Sequence, residues 1–198
     1  LLTFTPQYYS LNGLYSYLFD SGVRGKINDE LNPLLIMPDS QEKRLLKSYL
    51  SYHETIFSSF DEKVKSGVNA TIAQVLAPFN HPELVDYFCV QSKKRVNMES
   101  ILDGSIYLVD MPLAKWGLGG KVAYMFIKLR FFNVMQNRSQ HSEWNQNNPV
   151  FFMCDEYQEI VSANKDGLSD LNFWDKSRSS TTIGIISAQS VSSFYAAL

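Results

Sequence analysis

Asp155 and Glu156 stand side by side at the end of an apolar run, Pro149-Val150-Phe151-Phe152-Met153-Cys154. Adjacent carboxylates in this setting can divide labour: one anchors a divalent cation through its water shell, and the other orients and deprotonates an attacking water. The chemistry needs a rigid mount. Val150 to Cys154 have no helical period, and such a run fits a strand buried on both faces, the usual state of a central strand in a parallel sheet. Pro149 marks its start. Polar residues at the carboxyl end of such a strand face the ligand crevice of an open α/β sheet, so the two acids are expected where a nucleotide binds.

This is the form of a Walker B motif. A short apolar run followed by Asp-Glu also arises by chance, as a strand leading into a capped helix. A second segment therefore carries much of the weight: Thr182-Ile183-Gly184-Ile185-Ile186-Ser187-Ala188-Gln189-Ser190 reads as another buried strand, ending in a polar Gln. RecA-like motors carry a Gln or a similar residue at the end of the strand after Walker B, where its amide senses a γ-phosphate.

The elements that must hold these residues can be read in order. Ser10 is an N-cap for a helix carrying Leu11, Leu14, Tyr15 and Leu18, with Gly22 placed to end it. Residues 23 to 38, with Pro33 and Pro38, read as an irregular connection. Asp39-Ser40-Gln41-Glu42 has capping-box spacing and opens a helix. Leu45, Leu46, Tyr49, Leu50, Ile56, Phe57, Phe60 and Val64 keep a 3.6 period as far as Gly67, which predicts one core-facing stripe. His53 lies on that stripe as a packed or edge residue. A shorter helix with Ile72, Val75 and Leu76 stops at Pro78, and Pro82 suits the first turn of another. Residues 1 to about 90 thus read as an all-helical lobe.

The character changes after Cys89. Gln91-Ser92-Lys93-Lys94-Arg95 is a short basic cluster, either a solvated linker or a phosphate or nucleic-acid contact, and it marks a domain boundary. Asp103-Gly104 signals a turn before a third buried strand, Ser105-Ile106-Tyr107-Leu108-Val109-Asp110-Met111-Pro112. Residues 118 to 137 form a helix with Val122, Met125, Phe126, Leu129, Phe132 and Met135 towards one face. Polar residues 138 to 148 lead into the Asp155 strand, and residues 156 to 163 and about 168 to 178 read as helical. Strand, helix, strand, helix, strand argues for a parallel sheet, hence an α/β fold over residues 91 to 198. No internal repeat or low-complexity tract is present.

Composition bounds the rest. The chain has 198 residues, of which 45% are apolar, enough for a globular core. A net charge of −2 excludes a basic footprint over the whole chain, while leaving room for a local basic channel. Cys89 and Cys154 have no paired spacing, which points to a reducing compartment and to neither a disulfide framework nor a zinc site. No apolar stretch is long enough to span a bilayer. The chain begins Leu1-Leu2-Thr3-Phe4 and ends Tyr195-Ala196-Ala197-Leu198, and it reads as part of a longer protein.

Gly117-Leu118-Gly119-Gly120-Lys121-Val122 superficially resembles a phosphate-binding loop, since it follows an expected strand and opens a helix. A P-loop needs Gly-x-x-x-x-Gly-Lys followed by Ser or Thr, so that backbone wraps the phosphates and a hydroxyl ligates Mg²⁺. Lys115 stands where the first Gly is required, and Val122 has no hydroxyl. The segment is read as a flexible turn at a helix start.

Taken together, Gly104 to Pro112, Pro149 to Glu156, and Asp175-Lys176-Ser177-Arg178 leading into Ile186-Ser187-Ala188-Gln189-Ser190 resemble the nucleotide-binding domain of type IV secretion and conjugation coupling proteins. These are hexameric RecA-like P-loop ATPases of the TraG/TraD kind. The resemblance implies a partial RecA-like parallel sheet flanked by helices, with residues 1 to 90 as the helical domain inserted in the ATPase. It also implies a membrane anchor and a Walker A loop upstream, and so a place at the cytoplasmic face of the bacterial inner membrane. The chain by itself is then not expected to hydrolyse ATP measurably.

By the same resemblance, Asp155 would hold Mg²⁺ through water, Glu156 would act as general base, and Gln189 would sense the γ-phosphate. Arg178 would be either a finger reaching a neighbouring subunit's nucleotide or a surface residue at a helix end. Tyr157, Gln158 and Trp174 are read as packing or intersubunit residues, and Cys154 as a small buried neighbour of the acids. The implied function is a motor that uses ATP to recruit and move DNA or secreted protein substrates alongside other secretion-system components. A HerA/FtsK-like DNA-translocating ring ATPase is one alternative, and a non-hydrolysing scaffold with the same fold is another.

Overall fold

A computed structural model describes residues 5–36, 38–52, 55–56, 58–90, 96–162 and 169–197. The chain divides into two compact units, Leu1–Lys93 and Lys94–Leu198. His53, Phe57 and the basic cluster Gln91 to Arg95 lie outside the described residues. No described helix is long and apolar enough to cross a membrane.

The described part of the first unit is helical: α1 (Leu11–Phe19), α2 (Ser21–Ile36), α3 (Gln41–Tyr52), α4 (Glu62–Leu76) and α5 (Pro82–Phe88). Ser10 caps α1 as expected, its Oγ accepting from Gly13 N at 2.9 Å. The irregular connection expected over 23 to 38 is instead mostly α2. Asp20 Oδ1 accepts from the amides of Gly22 and Val23, which starts this second helix where the sequence suggested only a stop. Arg24 donates back to the carbonyls of Tyr17 and Leu18, closing α1. Ile27 and Leu31, one turn apart, bury themselves with Leu46 of α3. That burial outweighs the one backbone hydrogen bond that Pro33 removes.

The long helix expected from 39 to 67 is also two helices. Ser40, rather than Asp39, provides the N-cap, accepting from Lys43 N, while Asp39 pairs with Arg44 at 2.8 Å. Asp61 then caps α4 through Val64 N at 2.8 Å, so Gly67 falls inside a helix instead of ending one. Among the described residues of the proposed stripe only Leu46 is buried; Leu45, Tyr49, Ile56, Phe60 and Val64 are exposed.

The second unit contains α6 (Leu113–Asn137), β1 (Val150–Cys154), α7 (Asp170–Trp174), β2 (Thr182–Ile186) and α8 (Val191–Ala197). β1 and β2 pair in parallel, from Val150 opposite Thr182 to Cys154 opposite Ile186. The described part of the unit is therefore α/β, with one small parallel sheet of two strands.

The structure corrects three expectations. The segment 105–112 is not a strand. Gly104, at φ 95, closes a 3₁₀ turn over Met98–Asp103, and the segment beyond it is fastened by phenols in place of a ladder. Tyr107 OH donates to Asn97 O at 2.8 Å, while Tyr124 OH accepts from Met111 N at 2.8 Å and donates to Val109 O at 3.2 Å. Ile106 and Leu108 are left 93% and 92% exposed. The helices expected after Glu156 shrink to 3₁₀ turns at Tyr157–Glu159 and Ser177–Ser180 and the five residues of α7, with 163–168 outside the described residues.

Finally, the strands are not buried on both faces: in β2 only Thr182 is buried, with Ile183, Ile185 and Ile186 43 to 48% exposed, and β1 is buried on one face only. Phe152 packs into a cluster with Phe131, Phe132 and Phe173, whereas Phe151 and Met153 are 57% and 72% exposed. The aromatic cluster lies on the buried face of this sheet. On that side Phe132 and Phe173 stack at 3.8 Å, and Trp174 meets Phe132 edge-on at 5.7 Å. Aromatic pairs of this kind each add about 0.5 to 1.5 kcal/mol beyond their buried area.

α6 contains a break at Gly117 (φ 51, ψ −133), so the helix expected at 118 to 137 follows a separate first turn. Gly119 and Gly120 are buried, and a Cβ on Gly120 would stand 2.8 Å from Trp116 Cβ. The missing Cβ of Gly120 permits this close packing.

Candidate functional site

Parallel pairing in this register carries both strands to the same end, so the residues just after β1 and β2 meet. Ser187 N donates to Cys154 O at 3.0 Å, and Tyr157 N donates to Ser187 O at 2.9 Å. Ser187 Oγ donates to Asp155 Oδ1, which also accepts from Glu156 N at 3.0 Å. The hydroxyl first, and the amide second, hold the Asp155 carboxyl below the usual carboxylate range. Asp155 is thus ionised at neutral pH and exposed, and both of these bonds fall on Oδ1. It offers a hard oxygen to a cation. No group of three or more His, Cys, Asp and Glu that could cage a metal occurs among the described residues.

Glu156 is exposed and sits in the left-handed region at φ 49, ψ 44. A non-glycine residue there is costly, by roughly 1 to 3 kcal/mol, and is found where the surroundings over-determine it. Gln189 is exposed three residues beyond the end of β2. The acids and Gln189 therefore all follow the carboxyl ends of paired strands.

Arg178 does not join them. It is exposed in the 3₁₀ turn before β2, at the amino end of the strand. Five residues of strand span roughly 16 Å. Arg178 thus lies at the opposite end of β2 from the acids and Gln189.

Behind the acids lies a polar network that the sequence did not announce. Lys128 of α6 is 2% exposed; its Nζ donates to Asp170 Oδ2 at 2.6 Å and to the carbonyl of Ile160. Asp170 Oδ2 also accepts from Ser162 N at 2.7 Å and Ser162 Oγ at 2.8 Å, while Oδ1 accepts from Tyr157 OH. Trp174 Nε1 donates to the same phenol at 3.1 Å. Burial pushes the Lys128 pKa down, against the hydrogen bond and charge of Asp170, which favour the ammonium. Cys154, half-buried between this network and Asp155, has its thiol pKa pushed up, mainly by burial. Burial thus favours its neutral thiol form over the thiolate.

The one sequence hint of this network was a charged residue three and four positions before Phe131 and Phe132, on the buried side of α6. Tyr157 and Trp174, read as packing or intersubunit residues, both contact the aromatic cluster, with Tyr157 against Phe152 and Trp174 against Phe173. Gln158 differs: no donor reaches its buried Oε1.

A second buried cation secures the loop into β1. Arg138 donates from Nε to Asn145 O at 2.6 Å, and from its two terminal nitrogens to Ser180 O at 3.0 Å and Asn148 O at 2.9 Å. The starts of both strands hang on this one side chain.

No protein-family model, curated protein or solved structure matches the chain.

Proposed function

We propose that the second unit is the Walker B-bearing part of a RecA-like ATPase of the coupling-protein kind, which in a hexameric ring moves DNA or secreted protein substrates. The observation that carries this reading is the shared strand end: Asp155 and Glu156 follow β1, Gln189 follows β2, and Ser187 ties the second strand to Asp155. Asp155 is ionised, exposed and hydrogen-bonded from one oxygen, which suits a residue that holds Mg²⁺ through water. Mg²⁺ keeps most of its water shell and takes one or two carboxylates together with nucleotide phosphates, so no full protein cage is required. When bound, Mg²⁺ and ATP supply the electrophilic phosphoryl group. Glu156 then orients and deprotonates the attacking water, and Gln189 reports whether a γ-phosphate is present.

The helical first unit supports a coupling protein over a HerA/FtsK-like ring, which usually lacks a large helical insertion at this point. Arg178, at the far end of β2, fits a contribution to a neighbouring subunit's site, as a ring arrangement would require.

The test uses the full-length protein carrying the expected upstream phosphate loop. Glu156→Gln should leave ATP and Mg²⁺ binding intact while turnover falls by about 10² to 10⁴. Asp155→Ala should weaken Mg²⁺-dependent nucleotide binding. Turnover by Glu156→Gln above roughly a tenth of wild type would remove Glu156 from the base role.

A further inference from the structure

Glu156 is one of only two non-glycine residues with positive φ among those described. Its left-handed backbone needs an external restraint. On its amino side, Asp155 Oδ1 accepts from its amide at 3.0 Å. On its carboxyl side stands Tyr157, only 1% exposed and held at both ends. The amide of Tyr157 is bonded to Ser187 O at 2.9 Å, and its phenol to Asp170 Oδ1 and Trp174 Nε1. Asp170 is in turn fixed by Lys128 Nζ and by the amide and hydroxyl of Ser162. Tyr157 cannot rotate without breaking a buried, satisfied carboxylate network, which is expensive in a low-dielectric interior.

We propose that Lys128, Asp170 and Tyr157 form a positioning device that holds the backbone of Glu156 left-handed and thereby aims its carboxylate. The path is short and covalently direct: α6 supplies the cation, α7 supplies the carboxylate, and the phenol passes the restraint to the residue bonded to Glu156. Its consequence for turnover rests on the proposed role of Glu156 as base. The restraint itself does not.

Two measurements separate these. The first is made on this chain: the Cα chemical shift and the amide-to-Hα coupling of Glu156 by NMR, in wild type, Tyr157→Phe and Asp170→Asn. Tyr157→Phe keeps the ring in its packing and removes only the hydroxyl, so the fold should survive. Trp174→Phe, which removes a donor to the same oxygen, serves if it does not. Glu156 should move from left-handed towards averaged values, and left-handed values retained in these variants would overturn the proposal.

The second measurement is ATP turnover by the full-length protein. A misaimed base should lower kcat by roughly 10- to 100-fold with the KM for ATP unchanged within about twofold. An unchanged kcat, or kcat and KM worsening together, would overturn the positioning role in catalysis. Should Glu156→Gln itself retain full turnover, the base reading fails, and the NMR result alone decides whether the device exists.

Discussion

The indole of Trp174 lies against the bare backbone of Gly184, with its Cη2 2.7 Å from the point where a Cβ would stand. Gly184 pairs with Phe152 in the sheet, so this contact joins the middle of β2 to the aromatic cluster under β1. Trp174 has no room to retreat, since Phe132, Phe152 and Phe173 all have ring centroids within 5.8 Å of its own.

Gly184→Ala should therefore destabilise the second unit by about 1 to 3 kcal/mol, the usual cost of overpacking a rigid site. Urea denaturation followed by tryptophan fluorescence measures it. An unchanged midpoint would mean that the indole is not pinned there.

The hydroxyl of Ser187 is the main reason that Asp155 is held below the usual carboxylate range. Ser187→Ala should raise the Asp155 pKa towards its ordinary value of about 3.9, as read by an NMR titration of its carboxyl carbon. The sign for stability comes from the depressed folded value. The contribution is fully present above the unfolded pKa and is lost as pH falls through the folded one. The variant should lose the larger part of this acid-side dependence, because only the Glu156 amide is left to lower the folded value.

Arg138 offers its guanidinium to three carbonyls, those of Asn145, Asn148 and Ser180, at 2% exposure. Arg138→Met keeps the apolar stem but strands the buried carbonyl of Ser180, worth about 1 to 3 kcal/mol when unsatisfied, while the part-buried carbonyls of Asn145 and Asn148 can turn to water. A loss of about 1 to 3 kcal/mol is expected in chemical denaturation. Arg138→Lys should recover little of it, since one ammonium cannot reproduce a planar fork reaching three separate carbonyls. Full recovery by Lys would show that charge, and not geometry, is what this position supplies.

These sites differ in how far they could be read from the chain. Val150 to Cys154 and Thr182 to Ile186 were legible as parallel strands, because short, apolar, unperiodic runs ending in polar residues have few other uses. Ser105 to Pro112 looked the same and is not a strand, since a strand exists only where a partner backbone accepts it, and Tyr107 and Tyr124 satisfy this segment through side chains. The break between α3 and α4 was hidden by an apolar period that runs straight across it; the local cap at Asp61 decided the matter.

At the candidate site, Asp155 and Glu156 were legible as a pair of types at a strand end. Ser187 was not, because its role depends on strand register. Lys128 and Asp170 lie 42 residues apart and meet only through folding. A charged residue beside buried phenylalanines was the single trace that they left in the sequence.

That buried pair should show itself in both stability and pH dependence. The Lys128 and Asp170 side chains are 1% and 6% exposed, so removing one partner leaves the other without its counter-charge in the interior. Lys128→Met should cost about 3 to 5 kcal/mol. Combining it with Asp170→Asn should cost less than Lys128→Met alone, because the neutral amide leaves no unpaired charge in the interior. Denaturation of the two singles and the double completes the cycle. A double variant as unstable as the sum of the singles would deny the coupling. Wild-type stability carries a matching signature in pH. Burial holds the Lys128 pKa below its ordinary value, so between the folded and unfolded values the unfolded chain binds more protons. Stability from this group therefore rises with pH through that window, which ends near about 10.4. Lys128→Met should flatten this rise, and an alkaline profile identical to wild type would show that Lys128 does not titrate differently in the folded protein.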